Sequence, residues 1–200
     1  MAAQGGAEQN GFDPRGILAG LARNHVSFVL IGALARVIRG TNELTDGVDV
    51  CPSLTDFNRE RLGEALDDLE AQRADRRRLV LEEALEKERV IRLRTPLGEL
   101  KLVPEPAGTR RGYNDLRRAA TMEHIGDGLR PEVASVADLA RMSGALAHEL
   151  AAERGREVER ARERAIESSR ELRRIMETEL GLQRTLGLER GMSRDRGIDI

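Results

Sequence analysis

The run Val26–Ile31 is apolar, rich in β-branched residues and interrupted only by Ser27, which predicts a buried strand. Gly32 ends that run. Ala33 to Arg39 then carry a short helical pattern that stops at Gly40, a C-cap position. After a polar turn of Thr41, Asn42 and Glu43, a second strand is expected from Gly47 to Cys51, closed by Pro52. Strand side chains alternate, so Val48 and Val50 share one face while Gly47 and Asp49 share the other. An acid beside a glycine on an otherwise apolar strand is the unusual feature of this stretch.

The same patterning places the remaining elements. Asp13 is a good N-cap with Pro14 at the first helical position, opening a helix to about Arg23 with Ile17, Leu18 and Leu21 on its buried face. Thr55 or Asp56 caps a helix to about Ala71, whose packing stripe is read as Phe57, Leu62, Leu66 and Leu69. Arg73 to Arg78 form a basic connection, and Leu79–Leu85 reads equally as a short strand or a turn of helix. Val90–Arg94 and Glu99–Val103 are two strands around a Pro96-Leu97-Gly98 turn. In the second, Leu100 and Leu102 face the core, leaving Glu99, Lys101 and Val103 opposite. Asn114–Met122 reads as a helix, Gly126–Pro131 as a linker, and Ser135 as the cap of a helix to about Leu150.

From Ala151 to Leu180 the composition turns to Glu, Arg and Ala. Val158, Ala161, Ala165, Ser168, Leu172 and Ile175 recur at spacings of three and four, a coiled-coil-like seam supported by Glu–Arg pairs at i,i+3. That helix is either a solvated arm or a surface for a protein partner or for self-association. The Gly- and Arg-rich tail after it is expected to be loose.

Composition narrows the classes. The net charge of −2 gives no global bias toward nucleic acid or membranes. Aromatic content of 2% leaves the core to Leu, Val, Ile and Ala, and few rings for stacking single-stranded bases. Lys87 and Lys101 are the only lysines. Cys51 is the only cysteine, which excludes an internal disulfide, suits a reducing compartment and reads as a packing residue. His25, His124 and His148 are scattered without metal-ligand spacing. The amino terminus lacks the basic and apolar regions of a signal peptide, and no stretch approaches a membrane span, so a cytoplasmic protein is expected.

The strand, the Gly32-Ala33 turn into a helix, and Thr45-Asp46-Gly47-Val48-Asp49 on the next strand resemble the nucleotidyltransferase fold, in particular the small toxin-type enzymes of the AbiEii and MenT kind. Thr95-Pro96-Leu97-Gly98-Glu99-Leu100-Lys101-Leu102-Val103 looks like the hairpin that brings the third acid in that family, and Tyr113–Leu116 and Val133–Met142 look like its later segments. The resemblance covers roughly residues 15 to 150. It implies a mixed α/β fold, a small mixed sheet flanked by helices, with a C-terminal helical extension. The expected organisation is a disordered 1–12, a nucleotidyltransferase-like domain over 13–125, a helical region with the long charged helix over 126–180, and a flexible tail over 181–200.

The resemblance also implies a chemistry. Such enzymes transfer a nucleoside monophosphate from an NTP to RNA or protein with Mg²⁺ held by carboxylates. Carried over residue by residue, Asp49 is the catalytic and metal-binding acid, and Gly32, Ala33 and Thr45 are the nucleotide-binding positions. Glu99 and Asp46 are substitute metal ligands, because Gly47 stands at the first acid position and Lys101 at the third. Glu43 replaces a basic residue of the toxin-type pattern, and Ser143 a lysine. Two readings follow. In one, Asp49 and its substitutes sustain transfer. In the other, Gly47 and Lys101 fill the site, Lys101 pairs with Asp49 in place of a metal, and the protein binds or regulates a partner. Arg76, Arg77, Arg78, Arg92, Arg94, Arg110, Arg111, Arg117 and Arg118 are either a patch for an RNA backbone or a solvated surface.

Overall fold

A computed structural model describes residues 11–192, and the chain divides into two compact units, Met1–Ala147 and His148–Ile200. The elements in chain order are α1 (Pro14–Arg23), β1 (Phe28–Ile31), α2 (Gly32–Ile38), β2 (Gly47–Pro52), α3 (Asp56–Asp68), β3 (Gln72–Arg73) and α4 (Leu81–Lys87). They continue as β4 (Ile91–Thr95), β5 (Gly98–Leu102), α5 (Tyr113–Leu116), β6 (Thr121–Met122), β7 (Glu132–Val133) and α6 (Val136–Met192). The strands form one seven-stranded mixed sheet in the order β3-β4-β5-β2-β1-β7-β6. The fold is mixed α/β, and its central strands are those with the strongest apolar patterning.

Register explains where the core sits. Val48 lies beside Leu100 and Val50 beside Leu102 on parallel neighbours, while Leu93 and Ile91 lie beside the same leucines across the β4–β5 hairpin. All of these side chains are fully buried, together with Ile17, Leu21 and Leu62 from α1 and α3. Cross-strand partners share a face, so the opposite face of β2, β5 and β4 carries Gly47, Asp49, Glu99, Lys101, Arg92 and Arg94. Burial is what separates the two faces: one is a leucine–valine core, the other a charged surface.

Local chemistry sets several boundaries. The Asp13 side chain accepts a hydrogen bond from the Gly16 N–H at 3.0 Å, capping α1 ahead of Pro14. At the start of α6, the Ser135 hydroxyl accepts from the Asp138 N–H at 3.1 Å and donates to the Asp138 carboxylate at 2.8 Å. Arg39, at the end of α2, donates to the Ala134 and Val133 carbonyls at 3.0 and 2.7 Å and to the Thr121 hydroxyl at 2.8 Å. That staple holds the short β6–β7 pair against the edge of β1. Buried Asn58 donates to the Ser27 and Ser53 carbonyls at 3.0 and 2.8 Å and ties α3 to the strand ends.

Some expectations from patterning are overturned. Phe57 is 63% exposed, with Arg61 stacked 3.9 Å from its ring centroid. Five residues separate it from Leu62, which at about 100° per residue turns Phe57 well away from the Leu62–Leu66–Leu69 stripe. Asn114–Met122 is not one helix: α5 ends at Leu116, and Thr121–Met122 pair with Val133–Glu132 as a hairpin. Gly126–Pro131 is that hairpin's connection. The ambiguous Leu79–Leu85 stretch resolves as the helix α4, with Ala84 and Leu85 buried.

The second unit is described by its helix alone. α6 continues past Leu150 through residues 181–192, where composition suggests a loose tail. Val158 is 68% exposed, whereas Ala165, Leu172 and Ile175 of the expected seam lie outside the described side chains. Residues 1–10 of the expected disordered start, and residues 193–200, also lie outside the described residues. Among the described residues no helix is long and apolar enough to cross a membrane.

Candidate functional site

The site is built by the β2–β5 register. Gly47 lies beside Glu99 and Asp49 beside Lys101 on parallel strands, so four side-chain positions form a square on the charged face. The Lys101 ammonium is 3.6 Å from Asp49 Oδ1 and 3.2 Å from Glu99 Oε2. One cation therefore serves two carboxylates. All three side chains are about a quarter exposed, at 25–27%, yet Asp49 Oδ1 itself is buried with no hydrogen-bond donor reaching it.

The β1–α2 turn forms the wall behind Asp49. Gly32 has φ of +72°, and a Cβ built there would lie 2.0 Å from Asp49 Oδ2. The carboxylate thus occupies the space a side chain at position 32 would need. Ala33 follows in the first turn of α2, half-buried. Thr45 donates its hydroxyl to the Gly47 carbonyl at 2.9 Å and closes the turn into β2. Asp46 is exposed and precedes the strand, while Gly47, Asp49, Glu99 and Lys101 come together as expected.

Arg36 completes the surroundings in a way that the sequence pattern did not disclose. Its guanidinium is bidentate to Glu43, at 2.8 Å for both Nε to Oε1 and Nη2 to Oε2. Those hydrogen bonds hold the Glu43 carboxyl below its ordinary range. Because Arg36 is spent on Glu43, it contributes only its field at Asp49. The available signal was weak: a basic residue one turn after Gly32, and an acid seven positions further on.

Burial pushes the Asp49 carboxyl above its usual value, and the Lys101 charge pulls it only part of the way back. A folded-state value raised above the unfolded one means that the native protein holds the proton more tightly. Stability from this group is therefore present in acid and lost as pH rises through the folded value. Asp49→Asn should remove that loss. At pH 7 the variant is expected to be more stable than the wild type, the gap closing toward pH 4. Urea titrations at the two pH values measure it, and a variant less stable at pH 7 would mean that the Lys101 pair outweighs burial. Elsewhere, burial pushes the Cys51 thiol up to about 12, in keeping with a packing residue.

The donor set does not fit a pair of magnesium ions. Mg²⁺ requires oxygen ligands at near-octahedral geometry. Here Gly47 offers no donor, Lys101 Nζ already bridges the two carboxylates, and no group of three or more His, Cys, Asp or Glu side chains among the described residues is arranged for a metal. His25, His124 and His148 are all exposed. The arginines of the sequence reading are dispersed in role. Arg92 and Arg94 are exposed in register with Lys101 and Glu99, whereas Arg117 lies 3.7 Å from Glu132 and over the Tyr113 ring.

Comparison with known proteins bears on the fold. No protein family and no curated protein matches the chain. Among solved structures, the chain is similar to a candidate nucleotidyltransferase from Thermotoga maritima, with 15% identity, a TM-score of 0.53, and coverage of 72% of this chain and 88% of that one. The chain thus has a nucleotidyltransferase-like fold. The likeness is to the fold at large and does not single out the AbiEii and MenT kind.

Proposed function

We propose that this chain is a binding or regulatory protein built on the nucleotidyltransferase fold, in which the Asp49–Lys101–Glu99 cluster stands where a transferase would hold its metals. The observation that carries this reading is the ammonium 3.6 Å from Asp49 and 3.2 Å from Glu99. With Gly47 contributing no ligand and Lys101 Nζ between the two remaining carboxylates, the described residues are poorly arranged to hold the metal ions that phosphoryl-group transfer uses. Arg92 and Arg94, exposed on the same face and without carboxylate partners among the described residues, favour a phosphate-bearing partner such as RNA. Such binding would rest on charge and weaken steeply with salt. A protein partner, or self-association through residues 151–180, is the other contact this reading allows.

The competing reading is Mg²⁺-dependent transfer of a nucleoside monophosphate from an NTP to RNA or protein by a cytoplasmic toxin-like enzyme, with Asp49 and either Glu99 or Asp46 as ligands. Incubation with each α-labelled NTP, Mg²⁺, and total RNA or protein separates the two. The expected outcome is no label transfer above that of Asp49→Ala. Incorporation that disappears in Asp49→Ala would establish the enzyme instead.

A further inference from the structure

We infer that Lys101 is the resident cation of this pocket, holding Asp49 and Glu99 together as a divalent ion would, and that its removal alone uncovers a two-carboxylate site for hard divalent cations. The inference rests on the reading of the chain as a metal-free member of its fold, and it assigns the metal's place to one atom.

Three observations converge on Lys101 Nζ. First, the β2–β5 register sets Lys101 directly beside Asp49, and Glu99 two positions earlier on the same face of the same strand. Second, Asp49 Oδ1 is buried and receives no hydrogen bond, so its compensation is the ammonium at 3.6 Å. A buried carboxylate without a compensating charge is costly. Third, the nearest competing cation on α2, Arg36, is engaged by both oxygens of Glu43. On α2, therefore, no positive group is free to replace Lys101, and the cations that remain beside the vacated position are the exposed Arg92 and Arg94 of β4. Deleting the ammonium while keeping the strand leaves two carboxylates converging on one vacated position. One or two carboxylates plus water are an ordinary ligand set for Mg²⁺ or Mn²⁺.

The test uses Mn²⁺ as the probe and the full chain. Binding is followed by loss of the free-ion electron paramagnetic resonance signal, and stability by thermal unfolding. Wild type and Lys101→Arg should leave the Mn²⁺ signal unchanged and show no Mn²⁺-dependent shift. Lys101→Met should melt roughly 5 °C lower without metal. It should bind Mn²⁺ with roughly millimolar affinity and recover much of the lost melting temperature in its presence. Lys101→Met with Asp49→Asn should lose that binding.

A folded Lys101→Met that ignores Mn²⁺ overturns the inference, as does wild-type binding that depends on Asp49. Should Lys101→Met and Lys101→Gln both fail to fold while Lys101→Arg folds, the requirement for a cation at this position is upheld. The functional reading fails separately, through NTP transfer by the wild type, whatever the Mn²⁺ result.

Discussion

Gly32→Ala should destabilise the protein by about 3 kcal/mol, from a strained backbone and a steric clash acting together. Gly32 has φ of +72°, in the left-handed region that L side chains rarely adopt, at a cost of about 1 kcal/mol. The added Cβ would also lie 2.0 Å from Asp49 Oδ2 and 2.8 Å from Asp49 Cβ. Accommodating it requires β2 or the α2 start to move, and close-packed interiors resist such shifts at about 1–3 kcal/mol. In urea titration the midpoint should fall with an unchanged slope. Combining Gly32→Ala with Asp49→Gly should relieve the clash and leave the backbone strain, so the double variant should be less destabilised than the two single effects summed. A Gly32→Ala protein within about 0.5 kcal/mol of wild type would show that Asp49 is not pressed against this turn.

The second large effect is a gain. Gly47→Asp combined with Lys101→Asp should produce a protein stabilised by Mg²⁺, where the wild type is expected to show no such response. A Cβ at position 47 would meet the Glu99 carbonyl oxygen at 3.3 Å and Glu99 Cβ at 3.4 Å, a tight fit that a shift of a few tenths of an ångström resolves. Register then sets the new carboxylate at 47 beside Glu99, and the new carboxylate at 101 beside Asp49. Four acids on one patch repel one another without metal, so the variant should unfold early in its absence. With Mg²⁺ a hundredfold above its dissociation constant, linkage gives about 2.7 kcal/mol, or roughly 5–10 °C for a chain of this size. Equal stabilisation by NaCl at matched ionic strength would reduce the effect to screening. Gly47→Asp alone, with Lys101 retained, should show little response to Mg²⁺, separating the missing ligand from the resident ammonium.

Much of this arrangement was legible in the residues. The Val26–Ile31 and Gly47–Cys51 strands, the Pro14–Arg23 helix and the Pro96–Gly98 turn were marked by periodicity, caps and turn residues, all of which act over a few positions. Strand alternation alone put Asp49 and Gly47 on one face, and Glu99 and Lys101 on another strand's outer face. Phe57 and the Asn114–Met122 stretch depart from what their local pattern predicts. Tertiary contacts decided otherwise: Arg61 covers Phe57 on the surface, and β7 recruits Thr121–Met122 as an edge strand. Strands as short as β3, β6 and β7, of 2 residues each, carry too little pattern to be seen without their partners.

The sequence by itself determined the class of fold, the identity of the central strands, and the substitution of a glycine and a lysine at positions where an acidic motif was expected. Those properties are local, set by side-chain type and spacing along one segment. Only the tertiary structure decided that Lys101 Nζ stands between Asp49 and Glu99, that Arg36 is occupied by Glu43, and that Gly32 leaves room for nothing but Asp49. The Lys101 and Gly32 contacts depend on the register of strands from different parts of the chain, and the Arg36–Glu43 pair on the course of the connection from α2 to β2. A shift of one residue in that register would reverse the faces and dissolve the site.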